Sequence, residues 1–327
     1  MGVVASAPAK VILFGEHFVV HGGPAIVLAI DKRAYAKAET RSDNRIYINS
    51  LNLGLAGYFE NGTFQLEQGS LKEAKLKFEP IKLALEKVLG KYEGKAGISI
   101  EINSTVPVAS GLGSSAAVVA AVTAAAGTLL GIKMSKEDIF RITYEAEKIV
   151  HGNPSGIDPA ISTFGGTLLF QIDTGFKPLE VKTEIPLVIG DTGVERSTRV
   201  QVEKVKQIKE RYPQIVEYLM RAAGEIVLRA VEALKENDLE TLGELMNVNH
   251  ALLCGLGVSD ESLEWLINAA RKAGALGAKL TGAGGGGCMI ALAKSEMLER
   301  VSEAIQMAGG RPFMCRKTDE GVRIERT

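Results

Sequence analysis

Lys10, Glu16, His17, Glu147 and Asp158 are ionisable residues, several of them set in otherwise apolar stretches, and two loops of small residues stand among them. The first loop is Pro107-Val108-Ala109-Ser110-Gly111-Leu112-Gly113-Ser114-Ser115-Ala116-Ala117. Gly111 and Gly113 let the backbone turn freely and come close to a ligand. Ser114 and Ser115 can cap the helix that follows or contact a ligand. Amides in the first turn of a helix lack intrahelical partners, and the helix dipole adds partial positive charge there. That combination binds phosphate. The second loop, Gly282-Ala283-Gly284-Gly285-Gly286-Gly287, follows Ala278-Lys279-Leu280-Thr281. It is too short for a linker and has strand-like sequence on both sides, so it reads as a second loop of close approach.

Each piece has a plainer reading. The first loop alone fits a tight turn, and Gly111-x-Gly113-x-x-Ala116 fits the dinucleotide fingerprint. The dinucleotide reading needs a strand ending in Asp or Glu about twenty residues on, where this chain has a helix start, Ser135-Lys136-Glu137-Asp138. No Gly-Lys-Ser or Gly-Lys-Thr follows, so the loop is not a Walker A loop. Lys10, Glu16 and His17 read either as solvated charges at a strand end or as a site at the end of a sheet. Asp158, between Ile157 and Pro159, reads as functional, with helix capping as the alternative. His17 and His21 have the spacing of a helical metal pair. The β-branched residues and Gly22-Gly23-Pro24 argue instead for strand and turn, and no zinc site is expected there.

Taken together, the pieces suit phosphoryl transfer. That reaction needs amides around a triphosphate, oxygen ligands for magnesium, a group for the hydroxyl proton, and cations for developing charge. Positioning and electrostatics dominate it, so glycine loops can make up much of the site. Lys10, Glu147 and Asp158 together argue against a catalytically inactive binding protein.

The elements that must position these residues follow from periodicity and punctuation. Lys10 to Gly15 is a buried-strand pattern and Ala25 to Tyr35 a second strand. Phe78 to Tyr92 has apolar residues at helical spacing. Ile98 to Ile102 alternates like a half-buried strand and leads into the first loop, and Ala116 to Leu130 is a buried helix. Ser135-x-x-Asp138 opens a helix to about Val150. Thr167–Phe170 and the stretch from Glu180 to Asp191 are strand material. Helices then begin near Arg196, Pro213, Leu239 and Glu261, and the chain finishes with alternating strand and helix patterns.

The chain has 327 residues, 46% hydrophobic and 24% charged, with a formal net charge of -1. This composition is that of a globular protein with room for two domains, with no general pull towards nucleic acid or anionic membrane. Any anion site must be local. Three widely spaced cysteines, Cys254, Cys288 and Cys315, argue against a disulfide framework and fit a reducing cytoplasm. No charged-then-apolar leader opens the sequence, and the apolar run from Ala116 to Leu130 is too short to span a bilayer. Cytoplasmic localisation is expected, with no membrane and no nucleic-acid partner.

Three motifs carry a resemblance to a known family: Lys10 to Gly22 with Glu16-His17, Pro107 to Ala117, and Lys279 to Cys288. The sequence resembles the GHMP kinases, and within them the mevalonate kinase branch. Lys10-Val-Ile-Leu-Phe-Gly-Glu-His-Phe-Val-Val-His-Gly22, His151-Gly-Asn-Pro-Ser-Gly-Ile-Asp158 and Arg196-Ser-Thr-Arg199 all look like that branch. A galactokinase would carry Arg and Asn before Gly-Glu-His and an Asp soon after it. A phosphorylated substrate would need extra basic residues, and the first two motifs supply few.

The resemblance implies an α+β, two-domain GHMP kinase fold. Residues 1–180 would form an N-terminal ATP-binding domain of the ribosomal-protein-S5-domain-2-like kind. Residues 181–327 would form a helix-rich, ferredoxin-like C-terminal domain, with the cleft between the two taking ATP and mevalonate. It implies phosphorylation of the C5 hydroxyl of (R)-mevalonate, in isoprenoid biosynthesis by the mevalonate pathway. The residue matching the catalytic base is Asp158. Lys10 matches the Lys beside it, which offsets charge on the transferring phosphoryl group. Ser115 and Glu147 match the Mg2+ ligands. Pro107, Val108, Ala109, Ser110, Gly111, Leu112, Gly113, Ser114, Ser115, Ala116 and Ala117 match the triphosphate loop, and Ser104 a further nucleotide contact. Glu16, His17, Arg196, Thr198 and Gly284 fall at substrate-site positions, with Arg196 expected to grip the carboxylate through its planar fork. A homodimer is the expected assembly.

Overall fold

The structure is a computed structural model that describes residues 2–94, 96–106, 111–152, 154–182, 184–195 and 197–325. The chain runs β1 (Val3–Phe14), β2 (Ala25–Arg41), β3 (Ile46–Ser50), β4 (Leu55–Glu60) and β5 (Thr63–Gln68). It continues with α1 (Leu71–Leu89), β6 (Gly97–Ser104), α2 (Ser114–Leu129), α3 (Lys136–His151) and α4 (Ile157–Phe164). Next come β7 (Thr167–Gln171), β8 (Gly175–Leu179) and β9 (Pro186–Asp191). Four helices follow, α5 (Thr198–Arg211), α6 (Pro213–Glu236), α7 (Leu239–Gly255) and α8 (Glu261–Lys272). The last elements are β10 (Gly277–Leu280), β11 (Cys288–Leu292), α9 (Leu298–Met307), β12 (Arg311–Arg316) and β13 (Arg323–Ile324).

The strands form two sheets. The larger runs β13-β1-β2-β6-β3-β4-β5, with β7 and β8 joined to it through β2. β2 pairs with β1 along one edge and is long enough to serve two strands along the other: Ala25–Leu28 pair with β7, and Ala34–Arg41 pair with β6. The smaller sheet runs β10-β11-β9-β12, all antiparallel. This is the expected α+β organisation. The last strand, β13, returns to β1 in the first sheet, so the two sheets do not divide the chain at one point.

Local chemistry explains the elements that carry the site. α2 is almost all Ala and Val and is buried on nearly every side, packed against α1, α3, β1 and β2. α3 opens with the expected capping box: Ser135 Oγ accepts from the Asp138 N–H, and Asp138 accepts from the Ser135 N–H. Three readings change. α1 begins at Leu71, not Phe78, because Ser70 caps it and Pro80 sits inside the helix. The Ile157 segment is itself a helix, with Asp158 in its first turn and Gly156, at φ 83°, as its cap. Phe18–His21 is a short 3-10 turn rather than strand. Among the described residues, no helix is long and apolar enough to cross a membrane.

Candidate active site

Alternation along β1 sends Ala9, Val11 and Leu13 into one apolar core and turns Lys10 to the other face. On that other face α4 packs through Ile157, Ala160 and Ile161 against Val27 and Ala29 of β2. Lys10, 5% exposed, therefore meets the start of α4. Its Nζ lies 3.3 Å from Asp158 Oδ1 and donates to the Gly111 carbonyl at 3.1 Å. The Lys10 backbone N–H donates to the Leu112 carbonyl at 2.9 Å. One residue thus joins the first strand, the first glycine loop and the α4 carboxylate.

Gly113 fills the remaining space. Its φ is +71°, and a Cβ there would stand 2.9 Å from Lys10 Cγ and 3.5 Å from Asp158 Cγ. Only glycine satisfies both the turn and the contact. Asp158 keeps a third of its side chain exposed, so its carboxylate can meet a substrate. It also sits in the first turn of α4, where the helix dipole favours negative charge.

The third motif closes against the end of the same strand and the turn that follows it. Thr281 Oγ1 accepts from the Ile12 N–H at 3.1 Å and donates to the Ile12 carbonyl at 3.0 Å. His17 holds a positive φ of 61°, rare for a residue with a side chain, and its Nε2 bonds the Ala283 carbonyl at 2.8 Å. Glu16 pairs with Lys279, and both side chains are almost wholly buried. Burial pushes the Glu16 carboxyl up and the Lys279 ammonium down, and their mutual attraction opposes both shifts. Among the described residues, Glu16 Oε2 is buried without a hydrogen-bond partner. Gly284, at φ +72°, could not take a Cβ, which would lie 2.1 Å from the Val258 carbonyl oxygen.

The remaining expected residues are placed as follows. Ser114 is half-buried and Ser115 exposed at the first turn of α2, with the cap residue Gly113 supplying no side-chain bond. Glu147 is 2% exposed on α3. Leu112, Ala116 and Ala117 have buried side chains, so any ligand contact of theirs runs through the backbone. The Ala117 N–H is already taken by the Gly113 carbonyl at 3.1 Å. Ser104, half-buried at the end of β6, exchanges bonds with Asn52 through its backbone. Thr198 is exposed at the start of α5, three residues before Gln201, whose side chain lies against Gly285. Pro107, Val108, Ala109, Ser110 and Arg196 lie outside the described residues. His21 stands apart from His17, with Nδ1 3.3 Å from Lys209 Nζ.

Two residues with clear structural work in this site had no role assigned from sequence. Lys279 and Thr281 stand in the third motif, and the signal was their position just before the glycines. An ionisable residue inside a run as apolar as Gly277–Leu280 needs a buried partner.

Residues 79–166 match the model of the GHMP kinases N terminal domain, and residues 230–309 match that of the GHMP kinases C terminal. A mevalonate kinase of Thermococcus sibiricus is 43% identical over 333 residues, covering 99% of each chain. One of Pyrococcus horikoshii is 44% identical, covering 99% of this chain and 98% of its own. The chain belongs to the mevalonate kinase family of the GHMP kinases. The crystal structure of L. major mevalonate kinase in complex with R-mevalonate superposes with a TM-score of 0.86 at 29% identity. That superposition covers 97% of this chain and 96% of the other. Both matched segments of the GHMP kinase family include parts of the site: α2, Glu147 and Asp158 in the first, the second glycine loop in the second.

Proposed function

We propose that the chain transfers the γ-phosphoryl group of ATP to the C5 hydroxyl of (R)-mevalonate, giving 5-phosphomevalonate with ADP as the leaving group. The observation that carries this reading is Lys10 Nζ at 3.3 Å from Asp158 Oδ1 while it donates to Gly111 of the first loop. Asp158 accepts the hydroxyl proton as the new P–O bond forms. Lys10 offsets the charge gathering on the phosphoryl oxygens and holds the loop against the reacting centre. The amides opening α2 face the phosphates. Ser115 and Glu147 offer a hydroxyl and a carboxylate, hard oxygen donors that suit Mg2+. These two would hold the ion, which supplies charge neutralisation along the phosphates.

Glu16, His17, Thr198, Gly284 and Arg196 belong to the substrate side in this reading, with Arg196 as the partner of the mevalonate carboxylate. The nucleotide-binding part is residues 1–180 and the second domain residues 181–327, with β13 reaching back to the first sheet. Cytoplasmic residence and a homodimer complete the proposal. The resemblance of the relatives to this chain over nearly all of both lengths supports it.

The test is an ATP-dependent phosphorylation assay across mevalonate, phosphomevalonate, homoserine and galactose. The expected result is a C5 phosphate ester from mevalonate alone, with an absolute need for Mg2+. Turnover of galactose or homoserine in preference to mevalonate would overturn the assignment. Arg196→Ala is expected to raise KM for mevalonate far more than KM for ATP. Sedimentation gives the assembly state.

A further inference from the structure

A second cluster of chemically able side chains lies away from Lys10 and Asp158, where α7 meets α8. His250 and Cys254 are one turn apart on α7 and share a face. Glu264 joins them from the first turn of α8. Its Oε1 lies 2.9 Å from His250 Nε2 and 3.3 Å from Cys254 Sγ. Cys254 Sγ lies 3.4 Å from His250 Nε2. One nitrogen, one sulfur and one oxygen therefore form a closed triangle.

That triangle has the size of a coordination shell. Tetrahedral zinc, with bonds of about 2.0–2.3 Å, sets its ligand atoms roughly 3.2–3.8 Å apart. The present separations need to open by only a few tenths of an ångström at most edges. Burial is graded in a useful way. His250 is 2% exposed, Glu264 is half-buried and Cys254 is exposed, so the inner ligand is fixed while the outer one leaves an entry path. Ser259 Oγ also bonds Glu264 Oε1, at 2.5 Å, and fixes that carboxylate from the turn between the helices.

We propose that His250, Cys254 and Glu264 bind a thiophilic divalent cation of the zinc class, with a fourth position open to water. On binding, the Cys254 thiol gives its proton to solvent. The imidazole proton moves from Nε2, where it faces Glu264, to Nδ1. Before binding, Nδ1 accepts from the Leu280 N–H at 3.5 Å, a long hydrogen bond that the shift of tautomer gives up. Thiolate and carboxylate together balance the two charges of the ion, and no oxidant or reductant takes part. Sulfur and imidazole donors separate this site from the oxygen site for magnesium. The turn that the ion would brace carries Val258, whose carbonyl accepts the Gly285 N–H at 2.8 Å, so occupancy would stiffen the support of the second glycine loop.

The test titrates the nucleotide-free protein with Co2+ and follows the thiolate-to-cobalt charge-transfer band. One equivalent is expected to bind and to be displaced by Zn2+. Cys254→Ser is expected to lose the band, and Glu264→Gln to weaken binding by about tenfold or more. Zn2+ should raise the thermal midpoint of the wild type and leave that of Cys254→Ser unchanged. Protection of Cys254 from alkylation by Zn2+, mapped by mass spectrometry on the wild type, needs no variant to fold. Absence of the band, a band undiminished in Cys254→Ser, or alkylation of Cys254 indifferent to Zn2+ would overturn the proposal.

Discussion

Thr281 closes on Ile12 with one hydroxyl that serves both the N–H and the carbonyl of that residue. The contact lies beside the register shift between Ile12 and Phe14, where the β1–β2 ladder slips. It spans 269 residues of sequence and fastens the second glycine loop to the strand that bears Lys10. Thr281→Val keeps the shape and strands two part-buried polar groups, the N–H and carbonyl of Ile12. The expected cost is about 1–3 kcal/mol of stability, with a raised KM for ATP, while Thr281→Ser stays near wild type. Denaturant midpoints and steady-state kinetics on both variants check this. Equal behaviour of the Val and Ser variants would remove the hydroxyl from the account.

Lys10 and Asp158 are expected to act as a unit. Asp158→Asn should bind ATP and mevalonate almost normally and lose about 10²–10⁴-fold in turnover. Lys10→Met should also lose turnover. The double variant should lose much less than the product of the single losses, because groups acting together are not additive. A double-mutant cycle on kcat, with binding measured separately, decides it; multiplicative losses would mean independent roles.

The Glu16–Lys279 pair gives a stability prediction. Lys279→Met leaves a buried carboxylate without its cation, a loss of about 3–5 kcal/mol. Adding Glu16→Gln to Lys279→Met should recover much of that stability, since no buried charge then remains. Thermal unfolding of the two single variants and the double variant measures the recovery. A double variant as unstable as the sum of the singles would contradict a paired burial.

Acid should weaken the start of α3. Hydrogen bonds from Ser135, with Lys91 nearby, hold the Asp138 carboxyl at about 2, below its ordinary 3.8. The folded value is depressed, so the stabilisation is fully present above the unfolded value. It is lost as pH falls from about 3.8 through about 2. Asp138→Asn should lower stability at neutral pH and flatten the pH dependence in that window. An unchanged slope in the variant would assign the acid sensitivity elsewhere.

Much of this site was legible in the sequence because it is built from residues that break local rules. Glycines before a helix and a carboxylate ahead of a proline stand out against apolar surroundings, and the structure brings Lys10, Gly111, Gly113 and Asp158 together. What was not legible depended on tertiary pairing. Nothing in Gly277–Leu280 names Glu16 as the partner of Lys279, because the two lie 263 residues apart. The start of α1 was set by the Ser70 cap, a signal weaker than the proline that follows it. The cluster of His250, Cys254 and Glu264 was equally hidden, since its third member arrives from a separate helix.

The return of β13 to β1 bears on how the molecule comes into being. Arg323 and Ile324 pair with Ser6 and Ala5, and the Arg33 guanidinium clamps the same corner through Ser6 and the Gly321 carbonyl. With Thr281 on Ile12, the first strand is finished only by segments from the other end of the sequence. Such long-range pairings make folding slow, because distant ends must meet before their contacts are rewarded. A growing polypeptide on the ribosome can therefore form α2 and its glycine turn early. The strand that carries Lys10 gains its Thr281 clasp and its outer ladder partner only after translation has passed the second glycine loop and β13, so it is among the last pieces of the molecule to be completed.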